Sequence, residues 1–120
     1  MKKAFLAAAC SALLTISQSS LATPLLNVSY DVMRDFYRDY NPAFQKYWQQ
    51  QGHKQVQIRM SHGGSSKQAR SVIDGLQADV ITMNMATDIN ALHDYGQLIP
   101  QDWASRLPDN SAPFSSATVF

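Results

Sequence analysis

The sequence predicts an α/β fold built on a parallel sheet. Three features carry that expectation. Short β-favouring apolar runs lie at 25–30, 56–60 and 78–83, amphipathic stripes at three- and four-residue spacing follow each, and the two alternate regularly. No internal repeat or low-complexity tract breaks the pattern.

The first run, Leu25-Leu26-Asn27-Val28-Ser29-Tyr30, contains no breaker and reads as a strand, with Asp31 suited to cap the helix behind it. Val32, Met33, Phe36, Tyr37, Tyr40, Phe44, Tyr47 and Trp48 then form a helical stripe, read as core rather than as a cofactor site. Pro42 kinks this helix or restarts it with Asn41 as cap, and Gly52 ends it. Residues 56–60 give the second strand and 61–65 a turn. Ala69, Val72, Ile73 and Leu76 mark the second helix, opened by a capping-box spacing in Ser65-Ser66-Lys67-Gln68. The third strand covers 78–83, and the third helix covers 86–95 and stops at Gly96. A short helical turn follows at 101–106, a loop at 108–113 and a further strand at 115–120.

The two ends of the chain add a location and a boundary. Lys2 and Lys3 precede an apolar stretch at 4–16, and Ser20-Leu21-Ala22 has the small-x-small pattern of a cleavage site, so 1–22 reads as a cleaved signal peptide. That stretch is shorter than the roughly 20 apolar residues a membrane-spanning helix needs. Cys10, the only cysteine, would leave with the signal, and the remaining chain could form no disulfide. Loss of two lysines leaves eight basic against nine acidic residues, a net charge of −1 with no basic tract. Nucleic acid and anionic membrane surfaces are thereby disfavoured as partners. The hydrophobic run that reaches Phe120 suggests the front part of a longer protein.

In an open parallel sheet, ligands sit beyond the carboxyl ends of the strands, against the helix starts. Tyr30-Asp31 and Gly63-Gly64-Ser65-Ser66 occupy such positions, and their free N–H groups suit an anion without a charged side chain. The competing reading of Gly63-Gly64 is a turn that needs left-handed backbone. Arg34, Lys67 and Arg70 lie near these starts and read as solvated. His53, His62 and His93 lack metal-ligand spacing. No metal or cofactor motif is present, and all nine acids are scattered aspartates with no catalytic pair. His62-Gly63-Gly64 is similar to the oxyanion loop of some esterases, but no Gly-x-Ser-x-Gly elbow accompanies it.

Four ordered motifs together resemble periplasmic sulfate- and thiosulfate-binding proteins, the solute receptors of ABC importers. They are Leu25-Leu26-Asn27-Val28-Ser29-Tyr30-Asp31, Ser61-His62-Gly63-Gly64-Ser65-Ser66-Lys67-Gln68-Ala69, Ala78-Asp79-Val80-Ile81-Thr82, and Arg106-Leu107-Pro108-Asp109-Asn110-Ser111-Ala112-Pro113-Phe114. Met83-Asn84 and the segment at 98–103 are closer to the thiosulfate branch. The resemblance implies a periplasmic-binding-protein-like (type II) lobe of an incomplete two-lobed protein. Its boundaries would be 1–22 for the signal peptide, 23–108 for the first α/β lobe and 109–120 for the start of the crossover strand. It also implies a soluble periplasmic receptor and not an enzyme. Such a receptor is expected to be monomeric, to hold sulfate or thiosulfate between two lobes and to deliver it to a membrane permease.

Matched motif by motif, the main-chain N–H groups of Asp31 and Ser65 would bind the oxyanion, supported by Gly64 and Ser66. The Asp31 carboxylate would point away or cap its helix. A site made only of donors favours fully ionised sulfate over protonated phosphate. Rival readings are a phosphate, molybdate or ferric-iron receptor, an exported enzyme built on the His62 loop, and a sensor domain. Calorimetric titration of residues 23–120 is expected to show weak or no sulfate binding, because the opposing lobe's donors are missing. Tight binding would overturn the two-lobe reading.

Overall fold

The computed structural model describes residues 23–115. Residues 1–22, expected to be a signal peptide, and residues 116–120 of the last expected strand lie outside the described residues. Three strands form one parallel sheet in the order β2-β1-β3: β1 (Thr23–Tyr30), β2 (Val56–Gly63) and β3 (Val80–Thr82). A 3-10 turn (Asp31–Met33) leads directly into α1 (Arg34–Gln50). The second helix, α2 (Ser65–Ile73), joins β2 to β3, and α3 (Ala86–Asp94) follows β3.

The chain steps from β1 to β2 on one side, then crosses back over β1 to reach β3. Parallel crossovers are right-handed, so this reversal sends α1 and α2 to opposite faces of the sheet. On the α2 face, Val28 packs with Ala69, Val72 and Leu92, and Leu26, Ile73, Leu76 and Ile81 close around them. This cluster is the core, and Val28 and Leu92 are fully buried in it.

The α1 face is different in kind. Tyr37 Oη meets Thr82 Oγ1 at 2.6 Å, Asn41 Nδ2 lies 3.2 Å from Met60 Sδ, and Gln45 Nε2 donates to the Val56 carbonyl at 2.8 Å. The row that grips the sheet is therefore 37, 41 and 45, and of the aromatic stripe only Tyr37 belongs to it. Met33, just before α1, is buried, but no residue of α1 itself is, so the expectation that the stripe fills the core holds only at its start and is otherwise corrected. Polar rungs at the sheet turn Phe36, Tyr40 and Phe44 sideways.

Other local expectations change as well. Pro42 sits inside one continuous helix; Asn41 caps nothing and bonds across to Met60. Asp31 opens the 3-10 turn, Tyr30 is its cap residue, and no side chain caps it. Ser61, His62 and Gly63 belong to β2, leaving Gly64 as the single residue between strand and helix. Neither Gly63 nor Gly64 has positive φ. A Cβ on Gly63 would make ordinary contact with the Gln68 side chain, 3.4 Å from its Cδ. The Ser65-to-Gln68 capping box does not form: Gly64 is the cap residue, and Gln68 reaches across to the strands. At the end of α3, a Cβ on Gly96 would sit 3.0 Å from the Leu92 carbonyl oxygen, a tight approach that a larger residue would have to relieve by a small shift. Beyond a short 3-10 turn (Trp103–Arg106), Asp109, Asn110 and Ser111 have φ of 54°, 55° and 60°. The expected loop is thus partly a left-handed turn, held where Ser111 Oγ reaches the carbonyls of Trp103 (3.0 Å) and Ala104 (3.1 Å).

The core assignment has a direct test. Leu92→Ala is expected to lower unfolding free energy by about 2–5 kcal/mol, the usual range for a buried leucine. Tyr95→Ala, three residues on and exposed, should change it by no more than about 0.5 kcal/mol. Urea denaturation followed by circular dichroism measures both.

Candidate functional site

The register of the sheet levels the three strand ends. Tyr30 pairs with Gly63, and Ser29 pairs with both His62 and Thr82. Three helical starts therefore open along one edge, at Asp31, Ser65 and Ala86. In the order 2-1-3 the helices following β1 and β3 diverge to opposite faces, which leaves a crevice at the carboxyl ends of those two strands. The start of α2 is tied to this crevice by one bond: the Asn84 N–H donates to Ser65 Oγ at 3.2 Å.

All four sequence-predicted residues fall on this edge. Asp31 is the first residue of the turn into α1, and its Oδ1 accepts from Arg34 Nη2 at 2.7 Å. The carboxylate is thus neutralised by its own helix and is not an N-cap. Gly64 presents no side chain, and a Cβ there would meet nothing within 4 Å, so the space over the start of α2 is open. Ser65 is the first residue of α2, where the main-chain N–H has no acceptor within the helix. The Ser65 hydroxyl oxygen accepts from Asn84, which leaves its own O–H free to donate. Ser66 turns its hydroxyl to the buried carboxylate of Asp88 at 2.8 Å and offers the crevice only its main-chain N–H.

Beneath these starts lies a polar layer the sequence did not announce. The fully buried Ser29 hydroxyl lies 2.7 Å from His62 Nδ1. The buried Gln68 amide donates to the Ser29 carbonyl (3.3 Å) and to Ser61 Oγ (3.1 Å), stitching β1 to β2 just below Gly63. Glutamine in a polar run reads as surface, so nothing short of the fold identifies this role. Burial lowers the His62 pKa from the ordinary 6.5, helped by Arg34 and opposed by Asp31. His62 is therefore held toward its neutral form at an edge built from N–H donors. A serine paired with a histidine also suggests a nucleophile and its base, but burial keeps the Ser29 hydroxyl from any substrate.

Cationic side chains do little here. Arg34 is engaged by Asp31, and Arg70 pairs with Asp74 at 3.1 Å in solvent. Among the described residues, no group of three or more His, Cys, Asp or Glu side chains could hold a metal ion. The edge can hold an anion through uncharged, pre-oriented donors, where the partial positive charge of helix starts favours it.

Residues 25–118 match the model of the bacterial extracellular solute-binding proteins. Over 121 aligned residues the chain is 67% identical to the thiosulfate-binding protein of Pseudomonas aeruginosa, covering all of this chain and 36% of that protein. It is 54% identical over 96 residues to the sulfate-binding protein of Escherichia coli, covering 80% of this chain and 29% of that one. Among solved structures, the sulfate-binding protein SubI of Mycobacterium tuberculosis superposes with a TM-score of 0.61 at 32% identity, over 70% of this chain and 28% of its own. The chain thus spans about a third of the length of the curated relatives it matches.

The lowered His62 pKa has a signed consequence. Below pH 6.5 the folded chain binds fewer protons at His62 than the unfolded chain does. This contribution to stability is complete above pH 6.5 and is lost as pH falls through the folded pKa. Nuclear magnetic resonance should find the His62 ring titrating below 6.5, and His62→Gln should flatten that part of the stability profile.

Proposed function

The chain belongs to the bacterial extracellular solute-binding proteins, and from that membership we propose that it forms the half-site of a receptor for sulfate or thiosulfate. The observation that carries the reading is the convergence of uncharged helix starts on one level edge, with the nearest carboxylate, Asp31, already paired to Arg34. The main-chain N–H groups of Asp31 and Ser65 are the primary donors. Those of Gly64 and Ser66 support them. A tetrahedral dianion suits such an edge because all its oxygens accept. Thiosulfate is favoured between the two by the 67% identity to a protein of that name.

In this reading the segment at 1–22 directs export to the periplasm and is removed before Thr23. Residues 23–108 form one lobe, and 109–120 begin the crossing to a second. The receptor works as a monomer that passes its anion to an ABC permease and performs no chemistry on it.

Two proline substitutions test the donors without breaking the helices. Proline lacks the N–H but is tolerated at a first helical position. The preceding residues already have the extended backbone that proline requires, with φ −73° and ψ 155° at Tyr30 and φ −58° and ψ 138° at Gly64. The chain is spliced into the Pseudomonas aeruginosa thiosulfate-binding protein in place of its matched part, and thiosulfate is titrated calorimetrically. Asp31→Pro and Ser65→Pro should each weaken binding at least about tenfold, as expected for a lost hydrogen bond to a charged group. Unchanged affinity in both variants removes these residues from the site.

A further inference from the structure

Ser29 and His62 are level partners on β1 and β2, so their side chains share one face of the sheet. The Ser29 hydroxyl touches two groups at once. It lies 2.7 Å from His62 Nδ1 and 3.3 Å from the Tyr30 carbonyl oxygen, to which it donates. A serine hydroxyl has one proton to give. Both contacts are hydrogen bonds only when His62 Nδ1 carries a proton and donates it to Ser29 Oγ, while the Ser29 O–H donates to Tyr30. Ser29 is fully buried, so no solvent competes for either bond. The Tyr30 carbonyl is one end of a peptide unit whose other end is the Asp31 N–H. A hydrogen bond accepted at the carbonyl polarises the unit and makes that N–H a stronger donor. The oxygen has two lone pairs, so the hydroxyl adds to any bond made within the turn. At the start of α2 no side chain plays this part. The Gly64 carbonyl, behind the Ser65 N–H, accepts from the Gln68 N–H of its own helix at 2.9 Å.

We propose that His62, acting through Ser29, is a positioning residue for the anion donor at Asp31: its Nδ1–H fixes the Ser29 hydroxyl, which holds and polarises the Tyr30–Asp31 peptide. This role rests on the reading of the Asp31 N–H as an anion donor. It gives His62 no contact with the anion and moves no proton. It does specify where the ring proton sits. Which nitrogen is protonated is set by the ring's hydrogen bonds, and the neutral ring here is the Nδ1–H form, the minor one in free histidine. The arrangement is also asymmetric, since only one of the two primary donors draws on a side chain beneath it.

Nitrogen-15 spectra of the chain at a pH well above 6.5 should show the His62 proton on Nδ1; a proton on Nε2 overturns the proposal. In the Pseudomonas aeruginosa splice, Ser29→Ala and His62→Gln should each weaken thiosulfate binding at least about threefold, the range for one hydrogen bond. His62→Asn, whose amide N–H stands where Nδ1–H stood, should restore affinity to within about twofold. A double-mutant cycle separates this role from a structural one. In an Asp31→Pro background there is no N–H to polarise, so Ser29→Ala should cost nothing further. A loss that persists there overturns the proposal by making Ser29 a structural clamp alone. Asp31→Pro weakening binding while Ser29→Ala and His62→Gln leave it unchanged overturns this role and spares the donor reading. Unchanged binding in Asp31→Pro itself overturns Asp31 as a donor, and this role with it.

Discussion

Everything functional in this molecule depends on the register of three parallel strands. Because Tyr30 stands level with Gly63 and Ser29 with Thr82, the chain leaves the three strands within one residue of the same height. A shift of one residue in β2 would reverse which of its side chains face α1. It would also lift the start of α2 off the common edge. The register is itself enforced from below by Gln68, whose amide bonds to β1 and β2 at once, and by the Ser29–His62 contact. The polar layer that looks like the beginning of catalytic machinery is the clamp that aligns the edge.

Several charges are cancelled locally. Asp31 is cancelled by Arg34 within one turn, Arg70 by Asp74, and Arg106 by Asp102. Such exposed pairs contribute little stability. The Asp31–Arg34 pair keeps a lone carboxylate from dominating the edge, where the proposed attraction for anions comes from oriented peptide groups. Dipoles fixed in the backbone need no reorganisation when a ligand arrives, whereas a lysine would have to be desolvated and immobilised first.

Strand and helix order, the breaks at Gly52 and Gly96, and the positions of Asp31 and Ser65 at helix starts were all legible in the sequence. Each follows from short-range rules of apolar period and chain breaking. What escaped was decided by tertiary partners. The aromatic stripe of α1 has a sound helical period, yet period alone does not say which row meets the sheet, and Tyr37, Asn41 and Gln45 took that place through specific polar contacts. The capping-box spacing was present, but Gln68 found better acceptors on the neighbouring strands than at its own helix start. Gly63 and Gly64 suggested left-handed backbone, which neither adopts, and a Cβ on Gly64 would meet only open space.

The connection from β2 to α2 is a single residue, Gly64. A loop that short has no slack. One inserted residue would turn α2 by about 100° about its axis, carrying Ala69 and Val72 out of the core and Gln68 away from its acceptors. Evolution along this edge is therefore closed to changes of length and open only to changes of side chain. Two descendants of this fold that prefer different anions should be identical in spacing from His62 to Gln68. Their differences should instead lie in what surrounds the edge.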